Sequence, residues 1–164
     1  MNKIFFLFLL FSSNSLIPGT FHLQKNQVVL KMKIIGVKDG DTVEGLYYQF
    51  PINIRLEHID APEKRQPFGT KSKEKLSELC FGKNVTIISN GRNGNYDSRG
   101  RLISAIILED GTNVNKEMVK SGLAWYYKKY SSNLEYARLE ELAMKNKVGL
   151  WSDPNAVSPW SFRK

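Results

Sequence analysis

The chain has 164 residues, 41% hydrophobic and 24% charged, the composition of one globular domain with a short extension and not of a disordered tail. Lys and Arg outnumber Asp and Glu by 24 to 16, and the net charge of +8 favours an anionic partner: nucleic acid, an acidic membrane surface or an acidic polysaccharide. The single cysteine, Cys80, excludes a disulfide framework and a Cys-rich zinc site, and the two histidines, His22 and His58, sit neither at metal-ligand spacing nor in a triad context.

Lys3 gives the chain a charged start, Ile4–Phe11 is an unbroken apolar run of eight residues, and small polar residues lead to Pro18 and Gly19. This reads as a secretory signal over residues 1–20, cleaved between Ser13 and His22. The run is far shorter than the ~20 residues a membrane-spanning helix needs. The expectation is an exported protein, extracellular or periplasmic, with no stable membrane insertion after processing, and one domain over residues 21–152.

Val28, Leu30, Met32 and Ile34 alternate with Lys31 and Lys33, the period of a half-buried strand. Lys38-Asp39-Gly40-Asp41 supplies a turn in which Gly40 is free to take a positive φ. Thr42–Leu46 and Tyr47–Leu56 read as the next strands, and Glu57–Gly69 as a loop with two prolines and the basic pair Lys64 and Arg65. Ser72–Cys80 reads as a helix with Leu76, Leu79 and Cys80 on one face. Val85–Ile88 is a strand, 90–100 a polar loop, and Leu102–Leu108 a strand apolar enough to be central. Asn113 or Asn115 caps a short helix ending near Gly122. Leu134–Lys147 is a helix with the stripe Tyr136, Leu139, Leu142 and Ala143, and Asp153–Lys164 reads as an extended tail. About five early strands with late helices suggest a small closed barrel carrying packed helices.

Three segments stand out: Val37-Lys38-Asp39-Gly40-Asp41-Thr42-Val43, Arg55-Leu56-Glu57-His58-Ile59-Asp60-Ala61-Pro62-Glu63, and Asp97-Ser98-Arg99-Gly100-Arg101-Leu102. Asp41, Asp60 and Glu63 are carboxylates at strand ends and turns, hard oxygen donors suited to Ca²⁺ or Mg²⁺. Pro62 biases Ala61 toward extended backbone, which can turn its carbonyl outward as a further ligand. Arg55 and Arg101 can grip a phosphate with two forks and neutralise charge that develops during attack. Each segment alone is ordinary, because Asp-Gly-Asp turns and strand-end arginines are common. Together they are the parts for metal-assisted phosphodiester cleavage.

In combination and in this order, the segments resemble the staphylococcal-type thermonuclease (micrococcal nuclease) family. The resemblance runs from Val28 to Trp151 and includes Gly111-Thr112-Asn113-Val114-Asn115, Ser121-Gly122-Leu123-Ala124 and Gly149-Leu150-Trp151-Ser152. The ending Leu150–Asn155 with Pro159-Trp160 is similar to the exported bacterial branch. The resemblance implies an OB-type five-stranded barrel with three packed α-helices. It also implies a monomeric Ca²⁺-dependent endonuclease that cleaves DNA and RNA and leaves 3′-phosphate ends.

Under that resemblance Asp41 and Asp60 match the Ca²⁺ carboxylates, and Ala61 matches the carbonyl ligand. Glu63 matches the proposed general base, Arg55 and Arg101 the transition-state arginines, and Tyr130 a tyrosine of the nucleotide site. The chain departs from the pattern at Ala61, where the family's type member has threonine. It departs again at Ser98 and Arg99, which replace the lysine and tyrosine that contact the terminal phosphate; Arg99 is the candidate substitute. Lys128 stands where a second nucleotide-site tyrosine is expected, leaving Tyr126 and Tyr127 as candidate platforms. The competing reading is a non-catalytic nucleic-acid-binding OB module, which would have no need to keep Asp41, Asp60, Glu63, Arg55 and Arg101 together.

Overall fold

The structure is a computed structural model that describes residues 26–164. The expected signal segment, residues 1–20, lies outside the described residues. Among the described residues no helix is long and apolar enough to cross a membrane.

The strands are β1 (Gln27–Val37), β2 (Thr42–Tyr47), β3 (Phe50–Leu56), β4 (Ile59–Asp60), β5 (Asn84–Asn90), β6 (Asn95–Tyr96), β7 (Leu102–Leu108) and β8 (Trp125–Tyr126). The helices are α1 (Gly69–Cys80), α2 (Val114–Lys120), α3 (Leu134–Lys145) and the single turn α4 (Pro159–Phe162), with a 3₁₀ turn at Gly149–Ser152. β3, β2, β1, β5 and β7 pair in that order, all antiparallel, and a parallel β3–β7 ladder closes the ring. This is a five-stranded mixed barrel of OB type. α2 packs between α1 and α3 and against β7.

Alternation along the strands builds the core. Met32 and Ile34, Val43, Ile54 and Leu56, Val85 and Ile87, and Leu102 and Ile106 point inward from the five strands and are buried. Each such side chain contributes roughly 1.5–3 kcal/mol when removed from water. β7 is apolar at every position but Ser104 because it is central, flanked by β5, β3 and β6.

Several boundaries differ from the sequence expectation, each for a local reason. Tyr47–Leu56 is not one strand: Tyr48, at φ 54°, and Gln49 turn the chain between β2 and β3. Gly40 does not need a positive φ; a side chain there would overlap Ser72 Oγ and Ala61 Cβ, so glycine is required by close approach. α1 starts at Gly69 and not at Ser72, because Ser72 is buried inside the helix and its hydroxyl donates to the Leu123 carbonyl at 2.6 Å. Within the expected 57–69 loop, Ile59 and Asp60 pair with Tyr126 and Trp125.

Asn113 caps α2 by accepting the Lys116 N–H. Asn115 is fully buried and bonds the Ile106 N–H and the Glu57 and Ser104 carbonyls. α3 stops at Lys145, where Lys147 turns left-handed at φ 52° and the Val148 N–H reaches the Ala143 carbonyl. On α3 Leu142 is exposed and Glu140 takes the buried face instead, accepting the Tyr126 N–H at 3.0 Å with Lys128 at 3.4 Å. Asp153–Lys164 is not an extended tail, because Pro159 opens a helical turn and Trp160 packs on Trp125 and Tyr127.

Candidate active site

The site lies at one end of the barrel, where β2 begins and β3 ends. The β2–β3 register sets Thr42 opposite Arg55, and the Leu56 N–H donates to the Asp41 carbonyl at 2.8 Å. Asp41 is thereby fixed beside Arg55. Asp60 is fixed from the other side, because β4 pairs it with Trp125. Glu63 follows in a short loop: the Gln66 N–H donates to its carbonyl, and its own N–H donates to Gln66 Oε1. A side chain at Gly69 would strike the Glu63 carbonyl, so the start of α1 can come this near only at a glycine.

Three of the expected residues meet at one atom. Arg55 Nη2 is 3.1 Å from Asp41 Oδ2 and 3.0 Å from Asp60 Oδ1, and Nη1 donates to the Leu56 carbonyl. The side chains of Asp41 and Asp60 are only 9% and 3% exposed, so two carboxylates share a dry pocket and need a cation. Asp41 also accepts the Ala61 N–H at 2.8 Å and the Thr42 hydroxyl at 3.1 Å, so the contact Ala61 makes with the carboxylates is through its amide. Burial pushes the Asp60 carboxyl above the usual carboxylate range, against the pull of a bond from Arg163. Burial, aided by Asp41, raises Asp39 to about 6.

Arg101 forms the outer half. Its Nη1 donates to Thr42 Oγ1 at 3.0 Å, and its Nε and Nη2 lie 2.8 Å from Asp97 Oδ2. Asp97 also accepts the N–H groups of Arg99 and Arg101; for its carboxyl, burial works upward, but these bonds outweigh it and hold it below the usual range. The Arg99 side chain is exposed on this loop. Tyr130 is 70% exposed, with Tyr127 edge-on at 4.9 Å and Lys129 over its ring. Of the two candidate replacement platforms, Tyr126 is buried with its hydroxyl on the Ser131 carbonyl, whereas Tyr127 is half-buried and stacked on Trp160.

His58 stands apart from this chemistry. Its Nδ1 lies 2.9 Å from Ser131 Oγ, its Nε2 lies 3.6 Å from Glu57, and its ring packs on Tyr136.

Arg163 was not foreseen. Its Nη2 is 2.6 Å from Asp60 Oδ2 and its Nη1 is 2.6 Å from Glu63 Oε1. Two basic residues at the end of a tail gave no signal of this; Trp160, which anchors the segment, was the only pointer.

Among the described residues no three His, Cys, Asp or Glu side chains gather to hold a metal. The donor set is two carboxylates whose oxygens converge on a single nitrogen, hard donors facing one point. That chemistry fits a hard divalent cation whose remaining ligands are water, carbonyl and phosphate oxygens.

Comparison with known proteins identifies the relatives. A family model described as staphylococcal nuclease homologue matches residues 53–153. The chain belongs to that family. It is 39% identical over 131 residues to a protein of Escherichia coli named an uncharacterized endonuclease, covering 80% of this chain and 83% of the relative. A Haemophilus influenzae protein of the same name is 39% identical over 133 residues, covering 80% and 72%. A Shigella flexneri protein named micrococcal nuclease is 33% identical over 142 residues, covering 80% and 79%. Membership brings a general nuclease activity on nucleic acids.

Proposed function

We propose that the chain is an exported, Ca²⁺-dependent endonuclease that hydrolyses DNA and RNA and leaves 3′-phosphate ends. The observation that carries the reading is the convergence of Asp41 and Asp60, both buried, on Arg55. The apolar run Ile4–Phe11 supports export.

Asp41 and Asp60 would hold the cation, with the Ala61 carbonyl as a further ligand. Bound there, Ca²⁺ would polarise a phosphate oxygen and the attacking water. Glu63, with a side chain 41% exposed, reaches the solvent from which that water comes and can accept its proton. Water adds to phosphorus and the P–O5′ bond breaks, so the phosphate stays on the 3′ side. Arg55 and Arg101 present guanidinium groups to the negative charge that grows on the phosphate oxygens. Arg101 is released for this by exchanging its Thr42 bond for a phosphate oxygen. Tyr130 and Arg99, both exposed, are placed to meet the flanking nucleotide.

The test is digestion of single- and double-stranded DNA and RNA by the purified protein, with Ca²⁺, with Mg²⁺ and with chelator. Cleavage in Ca²⁺ alone, giving ends that a polymerase extends only after phosphatase treatment, is the expected result. Equal cleavage in chelator would refute the metal, and binding without cleavage would favour a non-catalytic OB module. Export is checked separately by fusing residues 1–20 to a reporter and following it out of the cytoplasm.

A further inference from the structure

The segment after the 3₁₀ turn folds back across the site and is tied down along its length. Gln66 Nε2 donates to the Val157 carbonyl, and Pro159 is buried. Trp160 stacks on Tyr127, with ring centres 5.4 Å apart and planes at 11°, and lies edge-on to Trp125 at 5.7 Å. Val157 and Phe162 close a mostly apolar recess with Pro62, Phe68 and Trp125. These contacts deliver Arg163 to the acids. Its Nη2 sits on Asp60 Oδ2, while its Nη1 lies 2.6 Å from Glu63 Oε1 and 3.4 Å from Asp60 Oδ1.

Asp60 is therefore flanked by two guanidiniums. Arg55 lies on Oδ1 and Arg163 on Oδ2, so a second cation approaching either oxygen meets a positive charge already in place, and the facing oxygen of Glu63 is paired as well. Arg55 comes from the barrel wall, whereas Arg163 comes from a surface segment with its side chain 41% exposed. Removing the first means disturbing a strand of the barrel; removing the second means undoing the surface contacts of Val157, Trp160 and Phe162. The two guanidiniums are thus unlike in permanence.

We propose that residues 153–164 form an autoinhibitory strap. In the resting protein Arg163 is the counter-ion of Asp60 and Glu63, and it leaves when a divalent cation and a nucleic-acid phosphate take the site. The proposal rests on reading Asp41 and Asp60 as a cation site. A polyanionic substrate helps the exchange, because Arg163 and Lys164 find phosphate partners once displaced. A strap closed nine-tenths of the time would weaken apparent cation affinity about tenfold.

The test is calorimetric titration of the full chain with CaCl₂, without nucleic acid, in the unaltered protein, Arg163→Ala, Trp160→Ala and Lys164→Ala. Arg163→Ala is expected to bind Ca²⁺ about tenfold more tightly. Trp160→Ala keeps every charge and loosens only the latch, and it is expected to tighten binding several-fold. Lys164→Ala is expected to change affinity by less than about twofold, since it removes a charge but no strap contact. In the unaltered protein, Ca²⁺ should also shift the tryptophan emission as Trp160 leaves Trp125 and Tyr127.

Tighter binding in Arg163→Ala without any change in Trp160→Ala would mean a bare charge effect and would overturn the strap. So would equal affinity in all four proteins with Ca²⁺-dependent cleavage intact, leaving the cation site standing. Absence of Ca²⁺ binding in all four, with no Ca²⁺-dependent cleavage, would instead remove the cation site and the strap together.

Discussion

Arg55 lies on a barrel strand, its side chain 12% exposed, with Asp41 and Asp60 on one nitrogen; Arg101 lies where a loop enters β7, 22% exposed, with its fork on Asp97. The inner half of the site is held by the β2–β3 ladder and the β4–β8 pair. The outer half is held by a loop that bonds mainly to itself, through Asp97 to the N–H groups of Arg99 and Arg101. Under the proposed function the same residue type has two jobs within one site. In the inner half Arg55 would serve the reaction and also balances two buried acids. In the outer half Arg101 would serve the reaction while its fork balances a single partly exposed acid, Asp97.

Substitution should separate these jobs. Arg55→Ala leaves Asp41 and Asp60 buried with less compensation, so it should cost about 3 kcal/mol in denaturant unfolding as well as ~10²–10³-fold in kcat. Arg101→Lys keeps the charge and loses the fork; kcat should fall about 10²-fold while stability stays within about 0.5 kcal/mol. Equal stability losses in the two variants would break the distinction.

The next effect concerns a buried acid outside the site. Burial raises Glu57 from 4.5 to about 7, so between those values the folded protein holds a proton that the unfolded chain releases. Stability contributed by this group therefore falls as pH rises through that window. Glu57→Gln removes the loss and should stabilise by about 2 kcal/mol at pH 8 and by almost nothing at pH 4, read from thermal or urea unfolding at both pH values.

The smallest effect belongs to Cys80. Its thiol is fully buried, donates to the Leu76 carbonyl and is pushed up to about 12 by burial, so it serves packing and not chemistry. Cys80→Ala should cost about 1 kcal/mol in unfolding and leave cleavage rates unchanged.

The barrel was legible because period-two alternation at Met32, Ile34, Ile54 and Leu56 is a direct imprint of an inside and an outside. The inner site was legible because Asp41, Arg55 and Asp60 lie in compact motifs that strand register then superimposes. What failed was what depends on contacts distant in sequence. Ser72 reads as the first residue of a helix and is instead a buried donor to Leu123 inside it; Leu142 completes a stripe in the sequence but yields the buried position to Glu140, which bonds β8. Tyr48-Gln49 turns without glycine or asparagine, so local composition held no sign of it. Arg163 reaches Asp60 across 103 residues, a pairing that no local pattern encodes.

The most direct test of the mechanism is the pH–rate profile of Glu63→Gln at saturating Ca²⁺, set beside the Ca²⁺ affinity of the same protein. If Glu63 accepts the proton of the attacking water, kcat should fall by ~10²–10⁴-fold and the acid limb should flatten, with Ca²⁺ affinity near that of the unaltered protein. An unchanged acid limb together with much weaker Ca²⁺ binding would contradict this and make Glu63 part of the cation's shell.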